Sequence, residues 1–118
     1  MTSPGTRTAG DAFVAVARLA DLPPGALLGV ALPDGTPICL ANVDGTVRAV
    51  HDCCTHQAFT LSSGELAEGE IECAWHGARF DVETGAAIRG PACDAVATYA
   101  VRIVGDAIEV GPRRPPAD

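Results

Sequence analysis

Apolar residues fall in short runs, broken roughly every ten residues by Gly, Pro or Asp, which is the spacing of strands and tight turns. Phe13-Val14-Ala15-Val16-Ala17 is short and β-favouring and predicts a first strand. Asp21-Leu22-Pro23-Pro24-Gly25 reads as a turn by its Pro and Gly content. Leu27 to Leu32 leads into Pro33-Asp34-Gly35-Thr36, and Ile38 to Asn42 leads into Val43-Asp44-Gly45-Thr46. Asp-Gly between β-favouring runs is a strong hairpin signal. Val47 to His51 predicts a further strand, as do Ile71-Glu72-Cys73 and Arg79-Phe80-Asp81-Val82, with a turn at Glu83-Thr84-Gly85-Ala86. Val96 to Val104, Gly105-Asp106 and Ala107 to Val110 predict a last hairpin. The best helical candidate is Leu61 to Glu68, but its Ser62-Ser63-Gly64 favours a turn. The pattern therefore predicts an all-β fold of antiparallel sheets.

Length and composition fit one domain over residues 1–118, with loose ends at 1–12 and 111–118, the latter Pro-rich. Aromatic residues make up only 4% of the chain, so Val, Ala, Leu and Ile must fill most of the core. No apolar run approaches the ~18 residues that a membrane helix needs. The stretch 1–12 has no apolar segment of a secretory signal. Five cysteines, an odd number without such a signal, argue against a disulfide framework and for a reducing, cytoplasmic location. A net charge of −7 disfavours nucleic acid and suits approach to a basic patch on a protein partner.

The candidate chemistry sits between Asp52 and Phe80. Cys54-Thr55-His56 is followed, after sixteen intervening residues, by Cys73-Ala74-Trp75-His76. Two thiols and two imidazoles suit zinc or an iron–sulfur cluster rather than a hard cation. A Cys₂His₂ zinc finger segregates its cysteines and histidines, whereas each pair here is mixed. Mixed pairs suit a site with two chemically different metals, the ligation of a Rieske [2Fe–2S] centre. Structural zinc is the alternative use of the same donors. Spacing alone leaves the first ligand open, because Cys53-x-x-His56 repeats the spacing of the second pair.

On these residues, and on Gly77, Phe80, Asp81 and Gly85 after them, the chain resembles the Rieske ferredoxins over roughly Phe13 to Val110. The resemblance is nearest to ferredoxin components of bacterial aromatic-ring-hydroxylating dioxygenase systems. It selects Cys54 over Cys53 and implies that Cys54 and Cys73 bind one iron, and His56 and His76 the other. The flanking strand signals put the two ligand loops at hairpin tips, a small cluster-binding subdomain over about 52–92, and the resemblance implies that Gly90 and Pro91 lie in a loop that covers the cluster. The implied role is a soluble, monomeric one-electron carrier between a flavoprotein reductase and a terminal oxygenase, without catalysis of its own. A mononuclear iron site would need two more histidines and a carboxylate, and only His51 remains. A small Rieske-like subunit of a nitrite reductase is the other reading within the family.

The resemblance also bears on potential. Two ferric ions, two sulfides and two thiolates sum to about zero charge, two charges less negative than a four-thiolate centre, which raises the potential of Rieske centres. Their range is still wide, from about −150 to +300 mV. Respiratory-type relatives add a disulfide between the loops, a serine two residues after the second histidine and a tyrosine two further on. Here the corresponding positions hold Ala78 and Phe80, and neither loop has the extra cysteine. A potential near the low end is expected. Ionisation of His56 and His76 on the oxidised cluster is expected to lower it as pH rises. Cys39 is expected as a small core residue and Trp75 as an apolar cover, while Cys93 and His51 gain no role.

Overall fold

The computed structural model of the chain describes residues 13–53, 60–73, 78–89 and 95–115. Six strands form the larger sheet: β1 (Val14–Arg18), β2 (Leu27–Ala31), β3 (Pro37–Val43), β4 (Thr46–His51), β9 (Thr98–Val104) and β10 (Ala107–Arg113). Their order is β1-β10-β9-β4-β3-β2, all antiparallel. Four shorter strands, β5 (Glu65–Ala67), β6 (Glu70–Glu72), β7 (Arg79–Asp81) and β8 (Ala87–Arg89), make an antiparallel meander. The fold is all-β, as the pattern predicts.

The Asp-Gly signals hold. Asp44 and Gly45 turn β3 into β4 with φ of 53° and 96°, the left-handed pair that a two-residue hairpin requires. The same geometry at Glu68 and Gly69, φ 55° and 78°, joins β5 to β6. That hairpin replaces the helical candidate: Leu61–Ser63 is a single 3-10 turn and Gly64 leads straight into β5.

β3 is buried from Ile38 through Asn42, because both its faces are covered. Ile38 and Leu40 join Leu22, Val47, Ala49, Ile108 and Val110 in one apolar cluster. Cys39 and Ala41 face the other way and pack with Val50, Leu61, Ile71, Cys73, Ala78 and Phe80. A strand covered on both sides reads as a continuous apolar run, which is how Ile38-Cys39-Leu40-Ala41 reads. The small sheet thus stands on one face of the larger one.

Two expectations need correction. The stretch 111–118 does not begin as a loose tail: β10 continues through Gly111 and Pro112 to Arg113, which pairs with Tyr99. Pro112 is tolerated because the ladder is irregular between Val110 and Arg113, where a missing N–H breaks no regular pairing. Arg114 N–H then donates to the Thr98 carbonyl at 2.8 Å. The first ligand loop, moreover, is not the tip of a hairpin. It leaves β4 in the larger sheet and arrives at β5 in the smaller one. Only the second loop, between β6 and β7, is a hairpin tip. The expected loose end 1–12 and the covering loop at Gly90 and Pro91 lie outside the described residues.

Candidate metal centre

Of the four expected ligands, Cys73 is described; Cys54, His56 and His76 lie outside the described residues, as do Trp75 and Cys93. The stems that carry the ligand loops are nonetheless fully placed. The first stem leaves β4 at His51, whose N–H donates to the Ala97 carbonyl at 2.9 Å. Asp52 N–H follows with a 3.0 Å bond to the Pro37 carbonyl. The Asp52 carboxylate then reaches across the loop: Ser62 N–H donates to Oδ1 at 2.7 Å and Ser62 Oγ–H to Oδ2 at 2.6 Å. These bonds tie the two ends of the 54–59 segment together. Leu61, fully buried, anchors the far end in the core.

The second stem is closed by its own backbone, Cys73 N–H donating to the Ala78 carbonyl at 2.7 Å. Cys73 is 2% exposed and Ala78 fully buried, both inside the cluster that holds Leu61 and Phe80. The two stems touch at Gly64. A Cβ added there would collide with the Glu72 carbonyl, in the backbone just before Cys73. Backbone cannot swing aside as a side chain can. Gly64→Ala should therefore part the stems and cost at least about 2 kcal/mol, read as a lowered unfolding midpoint and reduced iron loading. A chain of unchanged midpoint would show that the stems are not pressed together.

The donor chemistry fits a [2Fe–2S] cluster of the two-thiolate, two-imidazole kind. Cys73 fits as one sulfur ligand, because it is held away from water at the end of a backbone-closed loop. Cys39 does not compete. Burial first, and the neighbouring Asp52 carboxylate second, push its thiol well up from its ordinary range, so it stays protonated in the core of β3. Cys53 is half-buried, its N–H on the His51 carbonyl at 2.9 Å. Beside the second stem, Arg79 bridges Glu70 at 3.1 Å and Glu72 at 3.6 Å across the β6–β7 pair. These pairs are partly exposed and add little stability, but they fix the outer face of the hairpin.

A family model described as "Rieske [2Fe-2S] domain" matches residues 12–100, most of the chain. The chain belongs to the Rieske [2Fe–2S] domain family. Within it, this Rieske domain is 37% identical over 98 residues to the ferredoxin component of a naphthalene 1,2-dioxygenase system from Pseudomonas aeruginosa, covering 83% of this chain and 93% of that one. The ferredoxin of carbazole 1,9a-dioxygenase from Nocardioides aromaticivorans superposes with a TM-score of 0.78 at 36% identity, covering 85% and 97% of the two chains. A carbazole 1,9a-dioxygenase ferredoxin seen in complex with its oxygenase superposes with a TM-score of 0.79 at 28% identity, over 85% and 93%. A chain described as an NADH-dependent nitrite reductase small subunit from Mycobacterium tuberculosis reaches 0.76 at 22% identity, over 89% and 96%, a likeness of fold alone.

Sequence reasoning missed the clamp around the loop of this Rieske domain. Asp52 and Ser62 carry no ligand spacing, and their pairing over ten residues becomes visible only once β4 and the Leu61–Ser63 turn are packed. The available signal was a carboxylate beside the first motif and a Leu-Ser-Ser-Gly run after it.

Proposed function

We propose that this Rieske domain is a one-electron carrier of an aromatic-ring-hydroxylating dioxygenase system. It takes electrons from a flavoprotein reductase and passes them to the terminal oxygenase, where substrate is oxidised. The observation that carries this reading is the close likeness, over more than four fifths of the chain, to the ferredoxin component of a naphthalene dioxygenase system. In this reading Cys54 and Cys73 hold one iron of the [2Fe–2S] cluster, and His56 and His76 hold the other. When bound, the cluster supplies a site that gains and loses a single electron. The chain's own residues supply the rest. The Asp52–Ser62 bonds and the Cys73–Ala78 bond fix the stems of the two loops, and Leu61 and Phe80 pack in the same core as Cys73 and shield it from water. Among the described residues no helix is long and apolar enough to cross a membrane. The working place is the cytoplasm, and the chain acts as a monomer.

The test is reconstitution. A ferredoxin-dependent naphthalene, biphenyl or carbazole oxygenase, given NADH and a flavoprotein reductase, should form diol only when the cluster-loaded chain is added. Absence of product, with the chain demonstrably reduced by the reductase, would contradict the reading.

The potential should be low, because Ala78 and Phe80 place no hydroxyl near the cluster from the second stem. A hydroxyl donating to sulfur favours the more negative, reduced state. Ala78→Ser should therefore raise the midpoint by on the order of 59 mV, a tenfold change in a one-electron equilibrium. Film voltammetry reads the shift directly, and an unchanged or lowered midpoint would contradict the assignment of Ala78 to that position.

A further inference from the structure

Asp52 is one of three buried polar or charged residues among those described, with 5% exposure. Both of its carboxylate oxygens accept hydrogen bonds from neutral donors, Oδ1 from the N–H and Oδ2 from the Oγ–H of Ser62. Among the described residues no arginine or histidine forms an ion pair with it. Glycine at position 29 of β2 leaves room for the arrangement: a Cβ there would stand 2.7 Å from Ser62 Oγ and 3.0 Å from Asp52 Oδ2. A buried negative charge is costly where no cation faces it, as none does among the described residues, and scaffolding alone does not require it. A neutral asparagine could also bridge the stem.

The charge has consequences inside the core. It contributes, after burial, to holding the Cys39 thiol protonated. Cys39 packs in the same apolar cluster as Cys73, Leu61 and Ala78. The carboxylate therefore acts through a low-dielectric interior, where charges are felt more strongly than in water. One of the proposed sulfur ligands lies in that interior, and another, Cys54, is two residues along the chain.

We propose that the Asp52 carboxylate is a fixed negative charge at the base of the first ligand loop that lowers the reduction potential of the cluster. The inference rests on the reading of the chain as a [2Fe–2S] carrier. Reduction adds one negative charge to the cluster, and a neighbouring buried negative charge disfavours that step. Neutralising Asp52 should make the cluster easier to reduce.

The experiment compares midpoint potentials by film voltammetry and signals by EPR in the parent chain, Asp52→Asn, Asp52→Ser and Ser62→Ala. Iron and sulfide content of the parent is measured first; a parent without a cluster defeats the carrier reading itself, whatever the variants do. With a loaded parent, Asp52→Asn should raise the one-electron equilibrium about threefold to tenfold, tenfold being 59 mV. Asp52→Ser should shift it in the same direction. Ser62→Ala breaks one bond of the clamp but keeps the charge, so it should lower the unfolding midpoint and leave the potential within a twofold change. Potentials unmoved in both neutral variants would overturn the inference. A rise of equal size in Ser62→Ala would also overturn it, because geometry rather than charge would then set the potential. So would loss of the cluster from both neutral variants, which would make Asp52 a builder of the site and not its tuner.

Discussion

A Cys73→Ala chain is expected to carry less than about one tenth of the iron of its parent and to lose its visible colour, because two ligands on each iron leave none to spare. Of the four proposed ligands, Cys73 is the one that lies among the described residues. It is 2% exposed, its N–H closes the second loop on Ala78, and it packs against the core that also holds Leu61 of the first stem. Cys39 cannot replace it, being fully buried in β3 and protonated. The loss should extend to stability, since the cluster ties together two loops from different connections of the fold. Cys54→Ser should behave as Cys73→Ala does, while Cys53→Ser should keep its iron. Iron and sulfide analysis with visible absorption reads all three. Retention of the cluster in Cys54→Ser and its loss in Cys53→Ser would move the first ligand by one residue.

Phe80→Ala is expected to remove about 3–5 kcal/mol, a large share of the 5–15 kcal/mol that holds a domain of this kind folded. Phe80 leads the fully buried side chains by volume in a chain with only three phenylalanines. It faces inward from β7, opposite Ile71 of β6, and joins the cluster that carries Cys73 and Ala78. With so few aromatics, nothing nearby can fill the space it would leave. The unfolding midpoint should fall by at least ~10 °C. The deficit should persist in cluster-free protein, which separates a packing loss from a loss of ligation. A fall of under ~3 °C would mean that the small sheet is not seated on Phe80.

Much of this was legible in the chain. Turn chemistry gave the hairpin at Asp44-Gly45, and the apolar run 38–41 marked a strand covered on both sides. The mixed Cys-x-His and Cys-x-x-His pairs gave the family. What escaped was set by tertiary packing. β5 and β8 are three residues each, too short for any periodicity to show, and they exist because β6 and β7 offer them edges. The Pro-rich end looked loose, yet an irregular ladder accepts Pro112 inside β10. The first ligand loop looked like a hairpin tip because strand signals flank it; which sheet each flank joins is a long-range fact. The Asp52–Ser62 clamp is of the same kind, a contact between residues whose types carry no ligand signature.

The most direct test of the central claim is low-temperature EPR on the dithionite-reduced protein, with iron, sulfide and zinc measured on the same sample. A rhombic signal from one unpaired electron per chain, with about two irons and two sulfides, is the predicted result for a histidine-ligated [2Fe–2S] centre. A silent sample that holds about one zinc per chain, and still takes up no cluster when supplied with iron and sulfide, would contradict it.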